Sequence, residues 1–363
     1  MKTQWQRLLI ISVSGIGNTI LATPLLNALR EQRPDARLDL LVWTPAAAAP
    51  VEGGRIVDHI LTAPREVNAW FRFMRELRAT HYDAVLTVFP SNKAAYHLFA
   101  FLSGARHRPG FAYRGGWKRG EWLLTQRIPA REDLHDVDQD LRLLELLGLN
   151  DKNISRDPFF ELSADDHAWA ESWLRERNLA DRLLIGMHPG AGAAVTLQHW
   201  QGTHKRWPHE RFAETARLLV AESECAVLLV GGPEETALKT EVQKLSDAED
   251  KVLIVSGSLS QTAALLSRCR LMISNDSGLM HVAAAVGTPV LALFGPTQAS
   301  RTAPVGPHHK VVRKEGPGRP CLTYPFHSAS SKIRCKHEGS CLRDIEVTEV
   351  VATAREMLHA RHD

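Results

Sequence analysis

The chain has 363 residues, of which 44% are hydrophobic and 23% charged. The length favours two domains, and the composition excludes a disordered chain, a collagen-like repeat and a disulfide-dense mini-protein. Because 44 Lys and Arg residues nearly balance 41 Asp and Glu residues, the formal charge is +3, and a dedicated nucleic-acid binder is not expected.

Cysteine usage and hydropathy indicate a cytoplasmic protein. The five cysteines form no regular framework, which favours a reducing compartment. The short apolar run Leu8–Ile11 superficially resembles a signal peptide, but it leads directly into a glycine-containing turn and predicts a first strand instead. No apolar stretch approaches the roughly 18 residues that span a bilayer, so any membrane contact is expected to be peripheral.

Short apolar strands alternate with amphipathic helices along the whole chain. This alternation predicts parallel sheets covered by helices on both faces, in two Rossmann-like halves joined by the polar stretch 150–158. The first half contains strands 7–13, 37–43 and 84–89 and helices 18–30, 67–79 and 136–147. The second contains strands 183–187, 226–231, 252–255, 271–273 and 289–294, and helices 165–177, 208–222, 234–245, 261–267, 278–286 and 347–360.

Ligand sites in such sheets form at the carboxyl ends of the strands. After the first strand, Gly15, Gly17 and Asn18 are compatible with a ligand loop or with a tight turn capped by Asn18. A dinucleotide fingerprint would need a third glycine where Ile20 stands and an acid after the second strand, so NAD binding is disfavoured.

Three loops of the second half carry polar and glycine residues. His188–Gly192, followed by Lys205, is compatible with a phosphate site or with a glycine-rich turn. In Gly231–Glu235 a carboxylate could accept hydrogen bonds from ribose hydroxyls, although a charge at a helix terminus is the commoner role. Asn275–His281 joins a strand to a helix; an N-cap with a core His281 accounts for single residues but poorly for the whole cluster.

Together these segments resemble the lipopolysaccharide heptosyltransferases of glycosyltransferase family 9. The resemblance extends over nearly the whole chain, and the matching segments are Gly15–Leu25, Tyr82–Val85, His188–Ala191, Lys205–Pro208, Gly231–Glu234 and Asn275–Ala284, the last being the most specific. It implies the GT-B fold, in which two Rossmann-like α/β domains face a central cleft. Residues 1–160 would bind the acceptor, 161–345 the nucleotide-sugar, and 346–363 would form a helix that packs back on the first domain.

The resemblance also implies an inverting, metal-independent transferase without a cofactor. It would move heptose from ADP-heptose to an anionic lipopolysaccharide-core glycolipid, as a cytoplasmic protein held peripherally at the inner face of the inner membrane. Lys205 and the backbone near Ser277 and Gly278 would bind the diphosphate, Asp276 the heptose, and Glu234 or Glu235 the ribose. The other donor-site candidates are Gly190, Ala191, Gly192, Gly231 and His281, and Gly15 and Gly17 are candidates for the acceptor site.

Two features depart from the family pattern. Asn18 stands where the family usually has an Asp, its proposed general base, and an amide cannot accept a proton near neutral pH. Three alternatives are open: another carboxylate or a His deprotonates the acceptor, Asn18 only orients the acceptor, or the protein is catalytically impaired. The second feature is a long insert, Ala193–His204, which is either a donor-site lid or a surface loop.

The first half also contains a basic, aromatic-rich segment. Seven basic residues and a single acid lie between Ala100 and Arg131. A solvated basic loop is the common interpretation, but the family favours contact with an anionic acceptor or a membrane surface. The acceptor-binding candidates here are Arg114, Lys118 and Arg119.

Near the end of the chain, Cys321, Cys335 and Cys341 resemble the cysteine-bearing tail of the family. With His327 and His337 they could supply metal ligands, but their spacing matches no standard zinc motif. A structural thiol cluster or an unliganded loop is therefore predicted.

Two alternatives to an ADP-heptose transferase stay open. One is a related glycosyltransferase with another donor or a surface-polysaccharide acceptor. The other is a catalytically inactive nucleotide-sugar-binding protein, which the amide at Asn18 suggests.

Overall fold

The computed structural model describes residues 5–12, 15–64, 66–113, 120–150, 152–192, 205–222, 224–316, 319–322 and 340–360. Two compact units divide the chain between Glu161 and Leu162. Among the described residues, unit 1 precedes this point and unit 2 follows it, and each unit has its own parallel sheet.

Unit 1 is an α/β layer structure. Its elements are β1 (Arg7–Ser12), α1 (Ile16–Gln32), β2 (Arg37–Val42), α2 (Ala49–Glu52), β3 (His59–Thr62), α3 (Val67–Ala79), β4 (Ala84–Thr87), α4 (Ala94–Leu102), β5 (Pro109–Ala112), β6 (Gln126–Pro129), α5 (Asp136–Leu141) and α6 (Leu143–Leu146). Within the described residues the main sheet has the order β3-β2-β1-β4, and all its pairs are parallel. The strand order therefore reverses between β1 and β4, where a doubly wound sheet places its ligand site.

Unit 2 is the larger doubly wound sheet. Its elements are α7 (Ala164–Arg175), β7 (Leu183–His188), α8 (His209–Glu222), β8 (Cys225–Leu229), α9 (Thr236–Leu245), β9 (Val252–Ile254), α10 (Leu259–Leu266), β10 (Leu271–Asn275), α11 (Gly278–Ala285), β11 (Val290–Phe294), α12 (Ala299–Thr302), β12 (Lys310–Arg313), α13 (Ser340–Arg343) and α14 (Val347–His359). The described strands pair in the parallel order β12-β11-β10-β7-β8-β9. This is the Rossmann order, and its switch point lies between β7 and β10.

The last helix packs on unit 2. The buried face of α14 contains Val347, Val350, Val351 and Ala354, at the spacing of one helix face, and lies in the same core as Trp207 and strand residues of the unit 2 sheet. The indole of Trp207 donates to the carbonyl of Ile345 at 3.0 Å, which ties the start of this helix to the same core. The sequence prediction places 346–363 against the first domain; the observed core contacts of the described part of this helix are with unit 2.

The sequence prediction also missed several elements in unit 1. Strand β3 lies at the sheet edge with only half-buried and exposed residues, so it lacks the apolar run of a central strand. Helix α4 contains no charged residue and therefore shows no polar face. The predicted helix 136–147 is divided at Arg142 into α5 and α6.

The packing of α14 can be tested by truncating one of its core side chains. Val350 is fully buried, so we expect Val350→Ala to lower the free energy of unfolding by about 1–3 kcal/mol. Val311→Ala is the matched control, because Val311 is 37% exposed on β12 of the same unit. It should change the free energy of unfolding by less than about 0.5 kcal/mol. Urea unfolding followed by tryptophan fluorescence measures both; equal effects would contradict the packing.

Candidate functional site

The polar residues of unit 2 meet at the switch point of its sheet. His188 is the last residue of β7, and Asn275 is the last residue of the neighbouring β10. Asn275 joins the loops that follow these strands: its Nδ2 donates to the carbonyls of Pro189 (3.0 Å) and Gly190 (2.9 Å), and its Oδ1 accepts from the N–H of Trp207 at 3.0 Å. The loop after β7 therefore has a fixed position beside the start of α11.

A buried chain of hydrogen bonds connects three of these loops. His188 contacts Ser277 Oγ through Nδ1 and Glu235 Oε2 through Nε2, both at 2.9 Å. All three side chains are buried. Ser277 also caps α11 by accepting from the N–H of Met280. His188 thus links the carboxylate after β8 to the N-terminus of α11.

The Glu235 carboxylate is turned into the protein. Its Oε1 accepts from the N–H groups of Ala191 and Gly192, and its Oε2 accepts from that of Gly232, each at 3.2 Å. Burial favours the neutral carboxyl, but the hydrogen bonds from His188 and the backbone outweigh it and lower the pKa of Glu235 to about 2. A Cβ at Gly190 would lie 1.8 Å from Oε1, so this close approach requires glycine.

An ion pair lies directly before the capping serine. Lys205 Nζ donates to Asp276 Oδ2 at 2.7 Å, and Thr297 Oγ1 donates to the same oxygen at 2.8 Å. Burial opposes ionisation of this carboxyl, but Lys205 and Thr297 lower the pKa of Asp276 below its usual range. The ammonium has three N–H donors and this bond uses one, so Lys205 and the N-terminus of α11 together form an environment that favours an anion.

A second lysine supports the loop after β8. Lys239 is buried and donates from Nζ to the carbonyls of Gly231 at 2.9 Å and Val255 at 3.3 Å. Burial lowers the pKa of this lysine. Its role is to hold the Gly231–Gly232 turn against the sheet.

At the switch point of unit 1, an amide and a buried carboxyl contact the backbone of Phe89. Asn18 is half-buried, and its Nδ2 donates to the carbonyl of Phe89 at 3.3 Å. The N–H of Phe89 donates to Asp140 Oδ1 at 2.7 Å. Asp140 is fully buried, and its Oδ2 has no hydrogen-bond partner among the described residues. Burial, together with nearby Asp136, raises the pKa of Asp140 well above its usual range.

The predicted donor-site residues lie together at one edge of the unit 2 sheet. Within the described chain they occupy the loop after β7 (Gly190, Ala191 and Gly192), the loop after β8 (Gly231, Glu234 and Glu235), the start of α11 (Asp276, Ser277, Gly278 and His281), and Lys205 beside it. Glu234 is exposed and His281 is buried. In unit 1, Gly15 caps α1 and Gly17 lies in its first turn.

Several predicted residues lie outside the described residues. These are Arg114, Lys118, Arg119, the insert Ala193–His204, Cys335, His327 and His337. Cys341 is buried and Cys321 half-buried. In the part of the chain that the structure describes, no group of three or more His, Cys, Asp or Glu side chains is arranged to hold a metal ion.

Sequence reasoning missed some residues that organise the site. His188 and Asn275 were assigned no role, although each ends one of the two strands at the switch point, which is a usable signal. Lys239, Thr297 and Asp140 gave no such signal. They are an ordinary helix lysine, a loop threonine and a helix acid whose burial is visible only in the structure.

The fold is similar to that of a solved heptosyltransferase and of a solved glycosyltransferase family 9 protein. The structure of E. coli ADP-heptose lps heptosyltransferase II matches with a TM-score of 0.74 and 22% identity, covering 98% of this chain and 100% of the other. The glycosyl transferase family 9 protein of Veillonella parvula matches with a TM-score of 0.78 and 24% identity over 99% and 98% of the two chains. These likenesses confirm the GT-B fold class.

Curated relatives and a family description agree with this class. Lipooligosaccharide heptosyltransferase 2 of Haemophilus ducreyi is 28% identical over 85% of this chain and 88% of its own length. Lipopolysaccharide heptosyltransferase 2 of Escherichia coli K12 is 27% identical over the same shares. Glycosyltransferase family 9 (heptosyltransferase) matches residues 70–328. The chain belongs to this family of glycosyltransferases.

The inward carboxylate of Glu235 can be tested through its pH dependence. In Glu235→Gln, an amide N–H would face backbone N–H donors, so we expect the free energy of unfolding to fall by about 2 kcal/mol at pH 7. Because the pKa of Glu235 lies at about 2, below the ordinary 4.5, its contribution is present above about pH 5 and is lost as the pH falls towards 2. The difference between wild type and variant should shrink over this range.

Glu234→Gln is the matched control, because Glu234 is the exposed neighbour in the same turn. Thermal unfolding of the three proteins from pH 7 to pH 3 measures the effect. A constant difference across this range, or an equal loss in the control, would contradict the inward role of Glu235.

Proposed function

We propose that the chain transfers heptose from ADP-heptose to a lipopolysaccharide-core acceptor, with inversion and without a metal ion. The observation that carries the proposal is the Lys205–Asp276 pair beside the N-terminus of α11, at the switch point of unit 2. The names of the curated relatives support the reaction, and a solved neighbour is described as heptosyltransferase WaaC with ADP-2-deoxy-2-fluoro heptose.

On this proposal the donor lies across the C-terminal edge of the unit 2 sheet. The diphosphate binds the Lys205 ammonium and the N–H groups at Ser277 and Gly278, where the helix dipole favours negative charge. The phosphate then competes with Asp276 for the lysine, and the freed carboxylate accepts hydrogen bonds from heptose hydroxyls.

The ribose candidates are Glu234 and Glu235. Glu234 is exposed and needs no rearrangement to accept a ribose hydroxyl. Glu235 already accepts from His188 and three backbone N–H groups, so a ribose hydroxyl there has to replace one of them. Either contact uses the turn that Lys239 supports.

The proposed reaction is a direct displacement. An acceptor hydroxyl oxygen forms a bond to the anomeric carbon while the bond to the diphosphate oxygen breaks, and ADP leaves with that electron pair. Lys205 and the N–H groups of α11 stabilise the charge that gathers on the diphosphate, so the chemistry requires no metal. The acceptor proton passes to a base. Asn18 cannot be this base, because its amide does not accept protons near neutral pH.

The acceptor, by the same proposal, is an anionic glycolipid at the inner face of the inner membrane, and the protein is cytoplasmic and peripheral there. The described helices include none that is long and apolar enough to cross a bilayer. Gly15, Gly17 and Asn18 would meet the acceptor at the switch point of unit 1.

One observation favours a second candidate function. Asn18 donates to a backbone carbonyl and lies at the position of the family's proposed base, which suits a nucleotide-sugar-binding protein without turnover. A transfer assay with ADP-heptose and a truncated core acceptor separates the two. Retained ADP binding without transfer favours the second candidate.

Lys205 is the first residue to test. We expect Lys205→Ala to lower kcat/KM for ADP-heptose by about a hundredfold and to weaken ADP binding, because the diphosphate loses its cation. Lys310, which pairs with Glu356 elsewhere in unit 2, is the control for loss of an ion-paired lysine. Calorimetric binding of ADP and the transfer assay measure both, and equal behaviour of the two variants would contradict the assignment.

Asn18 is tested by a pH profile. We expect Asn18→Ala to lower kcat about tenfold through poorer orientation and to leave the acid limb of the pH–rate profile in place, because an amide does not titrate there. Asn27→Ala on the same helix is the control. A shifted acid limb would contradict a purely orienting role, and unchanged turnover would exclude any role.

A further inference from the structure

Helix α4 of unit 1 is apolar on both its buried and its exposed sides. Its sequence, AAYHLFAFL, contains no charged residue. Tyr96, His97 and Phe99 are buried, but Leu98 is 47% and Phe101 46% exposed. A helix that is apolar all round is normally enclosed, so the exposed side of α4 calls for an apolar neighbour.

Aromatic and basic side chains extend this exposed side. Gly120 lies against Ala94 at the start of α4, since a Cβ there would be 3.5 Å from the Ala94 Cα. Trp122 follows two residues later and is 56% exposed. The Arg108 guanidinium lies 5.5 Å above the Phe101 ring and donates from Nε to the carbonyl of Leu123 at 2.9 Å. Leu98, Phe101, Arg108 and Trp122 therefore form one surface, called here the α4 surface.

The rim of the α4 surface is basic. Lys93 and Arg106 are exposed just before and just after α4, and Arg78 lies beside Gly104 at its C-terminal end. Residues 93–113 contain no acid. The single acid of residues 120–131, Glu121, is buried and accepts the N–H of Tyr113 at 2.7 Å. No carboxylate of these two segments offsets the positive rim.

We infer that the α4 surface docks on an anionic lipid bilayer, with Leu98, Phe101 and Trp122 entering the interface and the basic rim meeting the headgroups. Apolar and tryptophan side chains flanked by Lys and Arg suit such an interface. A second copy of the chain fits less well, because a twofold contact would bring the same arginines against each other. The inference rests on the proposed function in one respect: a lipid-linked acceptor gives the docking its purpose.

The test is sedimentation of the full chain with vesicles. We expect wild type to bind vesicles rich in phosphatidylglycerol, to bind phosphatidylcholine vesicles weakly, and to lose binding as salt is raised. Leu98→Glu combined with Phe101→Glu should weaken binding to the anionic vesicles by at least about tenfold. Leu245→Glu is the matched control, since Leu245 is a 45% exposed leucine of unit 2 and should leave binding unchanged.

Further measurements make the result decisive. Trp122→Ala provides a milder variant, expected to weaken binding several-fold, and thermal unfolding checks that the double variant is folded. Equal binding of the folded double variant and wild type, or equal losses in the double variant and the Leu245→Glu control, would overturn the inference. So would a wild type that sediments as a dimer which the double variant converts to a monomer.

Transfer to a water-soluble, lipid-free acceptor separates this inference from the proposed function. The double variant should transfer heptose to that acceptor at the wild-type rate. If wild type transfers but does not bind anionic vesicles, the docking inference fails alone. If wild type binds vesicles in the expected way but transfers nothing from ADP-heptose, the docking inference is supported and the proposed function fails.

Discussion

The ionised carboxylate of Glu235 is the constraint on which the candidate site depends. One of its oxygens accepts a hydrogen bond from His188, and both accept hydrogen bonds from backbone N–H groups. This one buried charge therefore fixes the turn after β7 and the turn after β8 and, through His188, the cap of α11. A buried charge is costly unless it is paired and fully hydrogen-bonded, and here the partners are the loops themselves. The site is therefore preorganised by an interaction that does not face solvent.

Each unit contains a buried carboxyl at its switch point, and the pKa values of these two carboxyls shift in opposite directions. Glu235 has several donors, and its pKa falls; Asp140 in unit 1 is fully buried with one N–H donor among the described residues, and its pKa rises. Linkage then gives opposite signs: Glu235 stabilises unit 2 less as the pH falls, whereas Asp140 stabilises unit 1 less as the pH rises. The switch point of unit 2 contains an ion pair, whereas at the switch point of unit 1 an amide and a buried carboxyl contact the backbone of Phe89.

Much of the fold and the position of the candidate site's loops in unit 2 could be predicted from the sequence, because apolar strands and glycine-bearing turns are local signals. The surface on which α14 packs could not be predicted, since an amphipathic pattern shows an apolar face but not what covers it. The inward direction of Glu235 depends on His188, which is distant in sequence. Helix α4 gave no periodic signal because both of its sides are apolar.

The contacts at the switch point of unit 1 bear on which group accepts the proton of the acceptor hydroxyl in the proposed reaction. Asn18 carries an amide that donates to Phe89, and the nearest carboxyl in that chain of contacts, Asp140, is fully buried behind the same backbone. Burial raises the pKa of Asp140 well above its usual range, which favours its protonated form. On the proposed displacement, the acceptor proton would therefore pass to a group other than the Asn18 amide, and the hydrogen bond from Asn18 to Phe89 suits a part in orienting the acceptor hydroxyl.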